Sequence, residues 1–277
     1  MQWVGHEAQQ RYQQVVAAAP RALIALDYDG TLAPIVEDPT QARIHPLGLD
    51  VIQRLAAATH TVAIITGRPV EQVLTLAGLR DIAHHCPNLV VLGHYGNEAW
   101  TARDQQVLSP SPPPGIAGFM QDLPAVLDTV GVHPFVEHKG LAVALHTRTL
   151  DDPRAAYAQL VEPLTALAQR HGLVVEPGRL VLEARAGDMD KGIALHRLCA
   201  RLRPQAVVFV GDDRGDLPAF AELDAQRARG TDVLKVCSGS PEEPRLSAEA
   251  DVVLDGPDGV IGFLTQLADD AAHHTSK

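Results

Sequence analysis

Apolar and polar positions follow two different patterns along this chain. In its first and last thirds, continuous apolar runs stand between amphipathic stretches. The runs are ALIALDYDG (22–30), TVAIIT (61–66), NLVVLG ending at Gly93, AVVFVGDD (206–213) and the shorter DVLKV and DVVLD. A strand covered on both faces has no polar side, so such runs predict buried parallel strands. Helices are expected over about 47–58, from Pro69 in a first turn to about Ala77, over MDKGIALHRLCARL before Pro204, and from about Gly259 onward. The segment up to about Pro20 has helical character and is expected on the outside of the core. Strands alternating with helices imply a parallel α/β sheet covered on both faces.

The middle, from about Asn97 to Ala186, reads differently. Short alternating strands (NEAWT, QQVLS) precede a helix near 116–129. The pairs PFVEH with LAVALHTR and LVVEP with RLVLEA flank a helix over 152–170. This pattern predicts a small antiparallel α+β module inserted into the parallel one. SPSPPPG (109–115) reads as a surface loop inside that module, and no repeat of fixed period is present.

With 277 residues the chain can bury one large core, or one core and a smaller module. Its net charge of -11 argues against nucleic acid as a partner, because phosphate-backbone binding rests on clustered Lys and Arg. An acidic protein that takes a small phosphate ester needs a metal ion and a few local cations. Cys86, Cys199 and Cys237 form no CxxC pair, which suggests a reducing compartment. The pairs His84-His85 and His273-His274 have no partners at zinc-ligand spacing and read as surface residues. MQWVGHEAQQRYQQVV has no basic start followed by an apolar stretch, and no run approaches the roughly 20 apolar residues of a membrane span. The expected setting is cytoplasmic, with no membrane partner.

Two strand ends carry the candidate chemistry. Asp27 and Asp29 stand at i and i+2 just past the first apolar run, so alternation directs both carboxylates to one side. Gly30 lets the chain leave by a turn closed to most residues. A second acidic group, Asp212, Asp213 and Asp216, ends another run. Each acid alone would pass for a helix cap or turn residue. Carboxylates gathered at neighbouring strand ends repel one another unless a cation neutralises them, and an all-oxygen set suits Mg²⁺. Thr66, Gly67 and Arg68 end the second run, where a hydroxyl and turn N–H groups can hold phosphate oxygens. Lys191 begins a helix, an unusual place for a cation unless it faces an anion.

DYDGTL, the threonine of TGR, the lysine of DKG and GDDRGD, in this order, resemble the four signatures of the haloacid-dehalogenase-type phosphatases. DYDGTLAPI, TGRP, VEHKGLAVALHTR, LVLEARAGDMDKG and GPDGV further resemble the trehalose-phosphatases, over about 23–267. The resemblance implies an α/β fold: a Rossmann-like parallel-sheet core (1–96 and 187–277) with an inserted smaller α+β cap (97–186) that closes over the sugar. It implies Asp27 as nucleophile, Asp29 as general acid and base, and Thr66 and Lys191 as partners of the transferring phosphoryl group. Mg²⁺ would be held by Asp27, the Asp29 carbonyl and Asp212, with Asp213 or Asp216 acting through water. Arg68 is expected on the phosphate, and Glu137, Lys139, Arg148 and Glu183 match positions where the family grips the disaccharide. The implied substrate is trehalose 6-phosphate; sucrose phosphate and mannosyl-phosphoglycerate are the competing sugar esters. A catalytically inactive domain functionally linked to a trehalose-phosphate synthase is the competing class. Two segments depart from the family pattern. Asp212-Asp213-Arg214-Gly215-Asp216-Leu217-Pro218-Ala219-Phe220 lacks two acids of DDxTDEDAF, and Gly93-His94-Tyr95-Gly96-Asn97-Glu98 replaces GxHGxE.

Overall fold

A computed structural model of the chain describes residues 1–178, 180–239 and 244–275. In chain order the first elements are β1 (Gln2–Trp3), α1 (Ala8–Ala17), β2 (Ala22–Leu26), α2 (Gly48–Ala58), β3 (Thr61–Ile65), α3 (Val70–Ala77) and α4 (Leu79–Ile82). Next come β4 (Leu89–Gly93), β5 (Glu98–Thr101), β6 (Val107–Leu108), α5 (Pro114–Val130), β7 (Phe135–His138), β8 (Ala142–His146) and α6 (Pro153–Arg170). The remainder is β9 (Val174–Gly178), β10 (Val181–Arg185), α7 (Lys191–Leu202), β11 (Ala206–Gly211), α8 (Leu217–Ala228), β12 (Asp232–Gly239), α9 (Pro244–Glu249), β13 (Val252–Asp255) and α10 (Gly256–Thr275). Two compact units result, one of 1–109 with 190–277 and the other of 110–189.

In the first unit, nine strands among the described residues form a sheet in the order β1-β13-β12-β11-β2-β3-β4-β5-β6. The pairings from β13 through β4 are parallel. Every residue of β2, β3, β4 and β11 is buried, as their unbroken apolar runs require. Alternation splits each strand between two faces. Ala206, Val208 and Val210 join a core with residues of α1, α2, α3 and α10, while Phe209 stands edge-on to Phe220 of α8 at 6.3 Å between ring centres. From β2 the chain runs outward through β3 and β4 on one side and later through β11 to β13 on the other. The carboxyl ends of β2 and β11 therefore mark the point where strand order reverses, the usual ligand crevice of an open α/β sheet.

In the second unit, β7, β8, β10 and β9 form an antiparallel sheet. Val143, Leu145, Leu182 and Ala184 pack against Phe119, Leu123, Leu160, Leu164 and Leu167 of α5 and α6. The intervening positions make a rung across all four strands, Glu137–Ala144–Glu183–Glu176, which lies on the opposite face.

The α/β fold with an inserted antiparallel unit agrees with the sequence pattern, and several details differ. NEAWT and QQVLS, expected in the inserted module, add antiparallel strands β5 and β6 to the large sheet. The passage to the second unit therefore falls at Ser109/Pro110 rather than at Asn97, and the return at Met189/Asp190 rather than near Ala186. Short alternating strands state only that one face is covered, and pairing with the edge of β4 decides which sheet they join. Gln2–Trp3 pairs with β13 at the opposite edge, although the N-terminal segment reads as helical, and α10 starts at Gly256 rather than near Gly259. Of RLVLEA, Arg179 lies outside the described residues and Val181–Arg185 is the strand. No helix among the described residues is long and apolar enough to cross a membrane.

Candidate active site

The site is assembled by register. Leu26 pairs with Val210 and with Ile64, so Asp27, Thr66 and Asp212 leave their strands at one edge of the sheet. The Asp27 N–H donates to the Val210 carbonyl at 2.8 Å and extends the ladder by one residue. Gly30 then turns with φ +73°, and a Cβ there would collide with the Asp212 carboxylate. Only glycine lets the DYDG turn lie this close to the second acidic strand end.

Lys191 is the first residue of α7, behind an Asp190 cap whose carboxylate accepts from the Ile193 N–H. Its Nζ lies 2.7 Å from Asp27 Oδ1 and 2.7 Å from Asp216 Oδ1, with all three residues buried. Asp216 Oδ2 accepts from the Asp212 N–H at 2.9 Å and the Asp213 N–H at 3.1 Å. Asp213 Oδ1 in turn accepts from the Gly215 N–H at 2.8 Å. Asp213 and Asp216 thus form a reciprocal cap on the 214–216 turn. Asp216 also anchors the lysine, so both of its oxygens are engaged within the protein.

Asp27, Asp212 and Asp216 can bring carboxylate oxygens within 4.8 Å of one another. Among the described residues, no donor reaches the Asp212 carboxylate. Burial pushes Asp212 well above the usual carboxylate range, with Asp27, Asp213 and Asp216 adding to the rise and Lys191 opposing it. Burial likewise raises Asp27; Lys191 pulls against it, and Asp216 and Asp213 reinforce it. Burial works against the Lys191 charge, but Asp216 and Asp27 outweigh it and hold the ammonium well above its ordinary pKa. One ammonium thus stands among three buried carboxylates and contacts two of them, Asp27 and Asp216. A hard divalent cation beside Asp27 and Asp212 would supply the missing charge, and an all-oxygen set of this kind fits Mg²⁺.

Thr66 Oγ1 accepts from the Arg68 N–H at 3.1 Å, closing the turn after β3. The Arg68 guanidinium reaches back to the first loop, with Nε 2.6 Å from Asp29 Oδ2 and Nη2 2.7 Å from Asp29 Oδ1. Its Nη1 donates to the Pro39 carbonyl at 2.8 Å. In the second unit, Lys139 Nζ donates to Glu183 Oε2 at 2.5 Å, and His146 Nε2 meets Glu137 Oε2 at 2.9 Å. Glu183 Oε1 is buried with no hydrogen-bond partner among the described residues. Arg148 lies in the turn beyond β8.

Three features of the site lie outside the residues assigned to it from the sequence, two of them in the 93–98 segment that departs from the family pattern. Glu98, at the start of β5, accepts from the Val70 N–H at 2.8 Å and from Ser109 Oγ at 2.9 Å. It caps a helix whose own cap residue, Pro69, offers no side-chain acceptor. His94 and Tyr95 adopt φ of +47° and +59°, and their N–H groups donate to the carbonyls of Arg68 and Thr66 at 3.0 and 2.9 Å. Ser238 Oγ donates to the Gly30 carbonyl at 2.6 Å, tying the end of β12 to the DYDG turn.

The family model described as trehalose-phosphatase matches residues 25–251, most of both units. This chain belongs to the trehalose-phosphatase family. A trehalose-phosphate phosphatase of Mycobacterium leprae is 30% identical over 263 residues, covering 90% of this chain and 58% of that relative. The chain thus spans rather more than half the length of such curated relatives. Among solved structures, the C-terminal domain of a trehalose-6-phosphate phosphatase from C. albicans superposes with TM-score 0.77 at 19% identity, covering 97% of this chain and 98% of that one. A haloacid dehalogenase-like hydrolase from Bacteroides thetaiotaomicron gives 0.62 at 15% identity, covering 89% and 99%. At such identities the two structures establish the shared fold.

Proposed function

We propose that the chain hydrolyses trehalose 6-phosphate to trehalose and phosphate through an aspartyl-phosphate on Asp27, with Mg²⁺ as cofactor. The observation that carries the reading is the buried Asp27–Lys191–Asp216 bridge beside the uncompensated Asp212, in a chain of the trehalose-phosphatase family. A carboxylate oxygen of Asp27 attacks phosphorus; the bond to the sugar oxygen breaks, and its electron pair stays on that oxygen, which takes a proton from Asp29. Asp29 then removes a proton from water, the water oxygen joins phosphorus, and the Asp27–phosphorus bond breaks to regenerate the carboxylate. Lys191 holds Asp27 in place and sets a positive charge beside the phosphoryl oxygens, where the Thr66 hydroxyl adds a hydrogen bond. Asp27 and Asp212, with the Asp29 carbonyl, would hold Mg²⁺, which when bound polarises the phosphoryl group as a Lewis acid. Glu137, Lys139, Arg148 and Glu183 take the hydroxyls of the disaccharide, and the unmatched Glu183 Oε1 is an acceptor ready for one.

The test is phosphate release from a panel of trehalose, sucrose and mannosyl phosphates, with and without EDTA. Release from trehalose 6-phosphate that stops in EDTA and returns with Mg²⁺ is the expected result. Preference for another ester would move the substrate assignment. A folded protein that releases none would place the chain among binding domains.

A further inference from the structure

Arg68 stands in the TGR turn, where a cation serves most simply as a grip on substrate phosphate. Its geometry is committed elsewhere. Nε and Nη2 form a two-pronged pair with both oxygens of Asp29 at 2.6 and 2.7 Å, and Nη1 donates to the Pro39 carbonyl at 2.8 Å. The Tyr28 ring lies under the guanidinium, 5.7 Å from centroid to Cζ, and the Tyr28 hydroxyl donates to the Ala42 carbonyl at 2.8 Å. Arg68 is buried, while the Asp29 side chain keeps about a third of its exposure. The turn that carries the arginine is fixed from behind by Tyr95 on the Thr66 carbonyl, His94 on the Arg68 carbonyl and Glu98 on the Val70 N–H. A planar fork held this way fixes the plane and reach of a carboxylate, which a point charge cannot do.

We propose that Arg68 is the positioning residue for Asp29 and not a phosphate-binding group. The inference rests on the phosphatase reading, in which Asp29 delivers a proton to the departing sugar oxygen. Arg68 orients the carboxyl that makes this transfer and links it through Pro39 to the 34–42 loop. Thr66 and Lys191 are left to hold the phosphoryl group.

The two roles separate by leaving group. A sugar alkoxide leaves only as it is protonated, whereas p-nitrophenolate leaves without a proton. First-turnover alcohol release and steady-state kcat and KM are measured for the wild type, Arg68→Met and Arg68→Lys. The substrates are trehalose 6-phosphate and p-nitrophenyl phosphate, with orthovanadate inhibition as a probe of phosphate binding. In Arg68→Met, first-turnover release of trehalose should fall by about 100-fold, within the range of general acid catalysis, while release of p-nitrophenol changes by less than about 5-fold. KM and vanadate inhibition should stay within about 3-fold, the mark of an interaction made in the transition state alone. Arg68→Lys, with a compact ammonium in place of the planar fork, should recover part of the trehalose rate. A vanadate constant and KM raised about 10-fold or more with first-turnover rates kept would make Arg68 a phosphate grip and overturn the inference. Equal first-turnover losses on both substrates would reduce it to a support of the turn and overturn it equally. A wild type that turns over neither substrate would refute the phosphatase reading itself, which separates that failure from the others.

Discussion

The two sheets of this protein treat charge in opposite ways. At the carboxyl edge of the parallel sheet, Asp27 and Asp216 share a single ammonium, Asp212 lies beside them with no donor among the described residues, and every one of these groups is buried. On the antiparallel sheet, acids come with partners: Lys139 on Glu183, His146 on Glu137, and Arg185 on Glu176 at 2.8 Å. A buried cluster with a surplus of negative charge must take up protons or a cation, and a cation held there can polarise an anionic phosphoryl group. A face of acids with nearby donors demands no metal and offers fixed acceptors and donors to a neutral, hydroxyl-rich ligand. The contrast teaches where each half of the proposed reaction belongs. On the proposed reading, phosphoryl chemistry falls to the unbalanced edge and recognition of the sugar to the balanced face.

The largest effect expected is at the nucleophile. Asp27→Asn should lower phosphate release by at least about four orders of magnitude, as for other nucleophile replacements, without loss of the fold by circular dichroism. Turnover near the wild-type level in a folded variant would remove Asp27 from the mechanism. Asp29→Asn should instead let the phospho-enzyme accumulate, visible as one added phosphoryl group by intact mass.

The charge surplus itself can be tested without substrate. Mg²⁺ at about 100 times its dissociation constant should stabilise the protein by about 2.7 kcal/mol, read as a raised Tm, and Asp212→Asn should cancel most of that gain. In EDTA the same variant should melt higher than the wild type, because it removes a buried carboxylate that costs energy to ionise. The sign follows from the raised Asp212 pKa. The wild type carries no penalty below the ordinary carboxylate pKa and gains one as pH rises through the elevated folded value, so the gap in Tm should widen with pH in that window. A gap that closes on going up in pH would show that Asp212 is compensated by the protein alone.

Smaller effects belong to the paired face. Glu183→Ala should cut kcat/KM for trehalose 6-phosphate by about 10- to 100-fold, the loss of one charged hydrogen bond, and change p-nitrophenyl phosphate hydrolysis far less. Comparable losses on both substrates would assign Glu183 to holding the sheet together. The smallest effect lies at the end of α6, where Asp152 accepts from the Ala155 N–H at 3.0 Å. Asp152→Ala should cost about 1 kcal/mol in denaturant titrations and leave first-turnover rates unchanged. A loss of rate from that helix cap of the second unit would break the separation of recognition from chemistry.

Some of this was legible in the residues alone. Continuous apolar runs mark strands covered on both faces, and β2, β3, β4 and β11 lie where ALIAL, TVAII, LVVLG and AVVFVG stand. Acids at i and i+2 after such a run must emerge at the sheet's open end, so the nearness of Asp27 to Asp212 follows once two such strands are neighbours. The lysine at the start of a helix, out of place for the dipole, signals an anion in front of it, and Asp27 and Asp216 supply one.

What the residues could not state is which partner each group takes. Asp213 and Asp216 read alike in GDDRGD. The fold turns Asp216 inward onto Lys191 and two backbone N–H groups, and leaves Asp213 to close the turn. NEAWT and QQVLS alternate as any half-covered strand does, and only the free edge of β4 decides that they belong to the large sheet. Arg68 lies 39 residues from Asp29, and Glu98 lies 28 from the helix end it caps. Local pattern fixes period and burial, because those depend on neighbours along the chain. Pairing depends on strand order and register, which are settled when distant segments pack together.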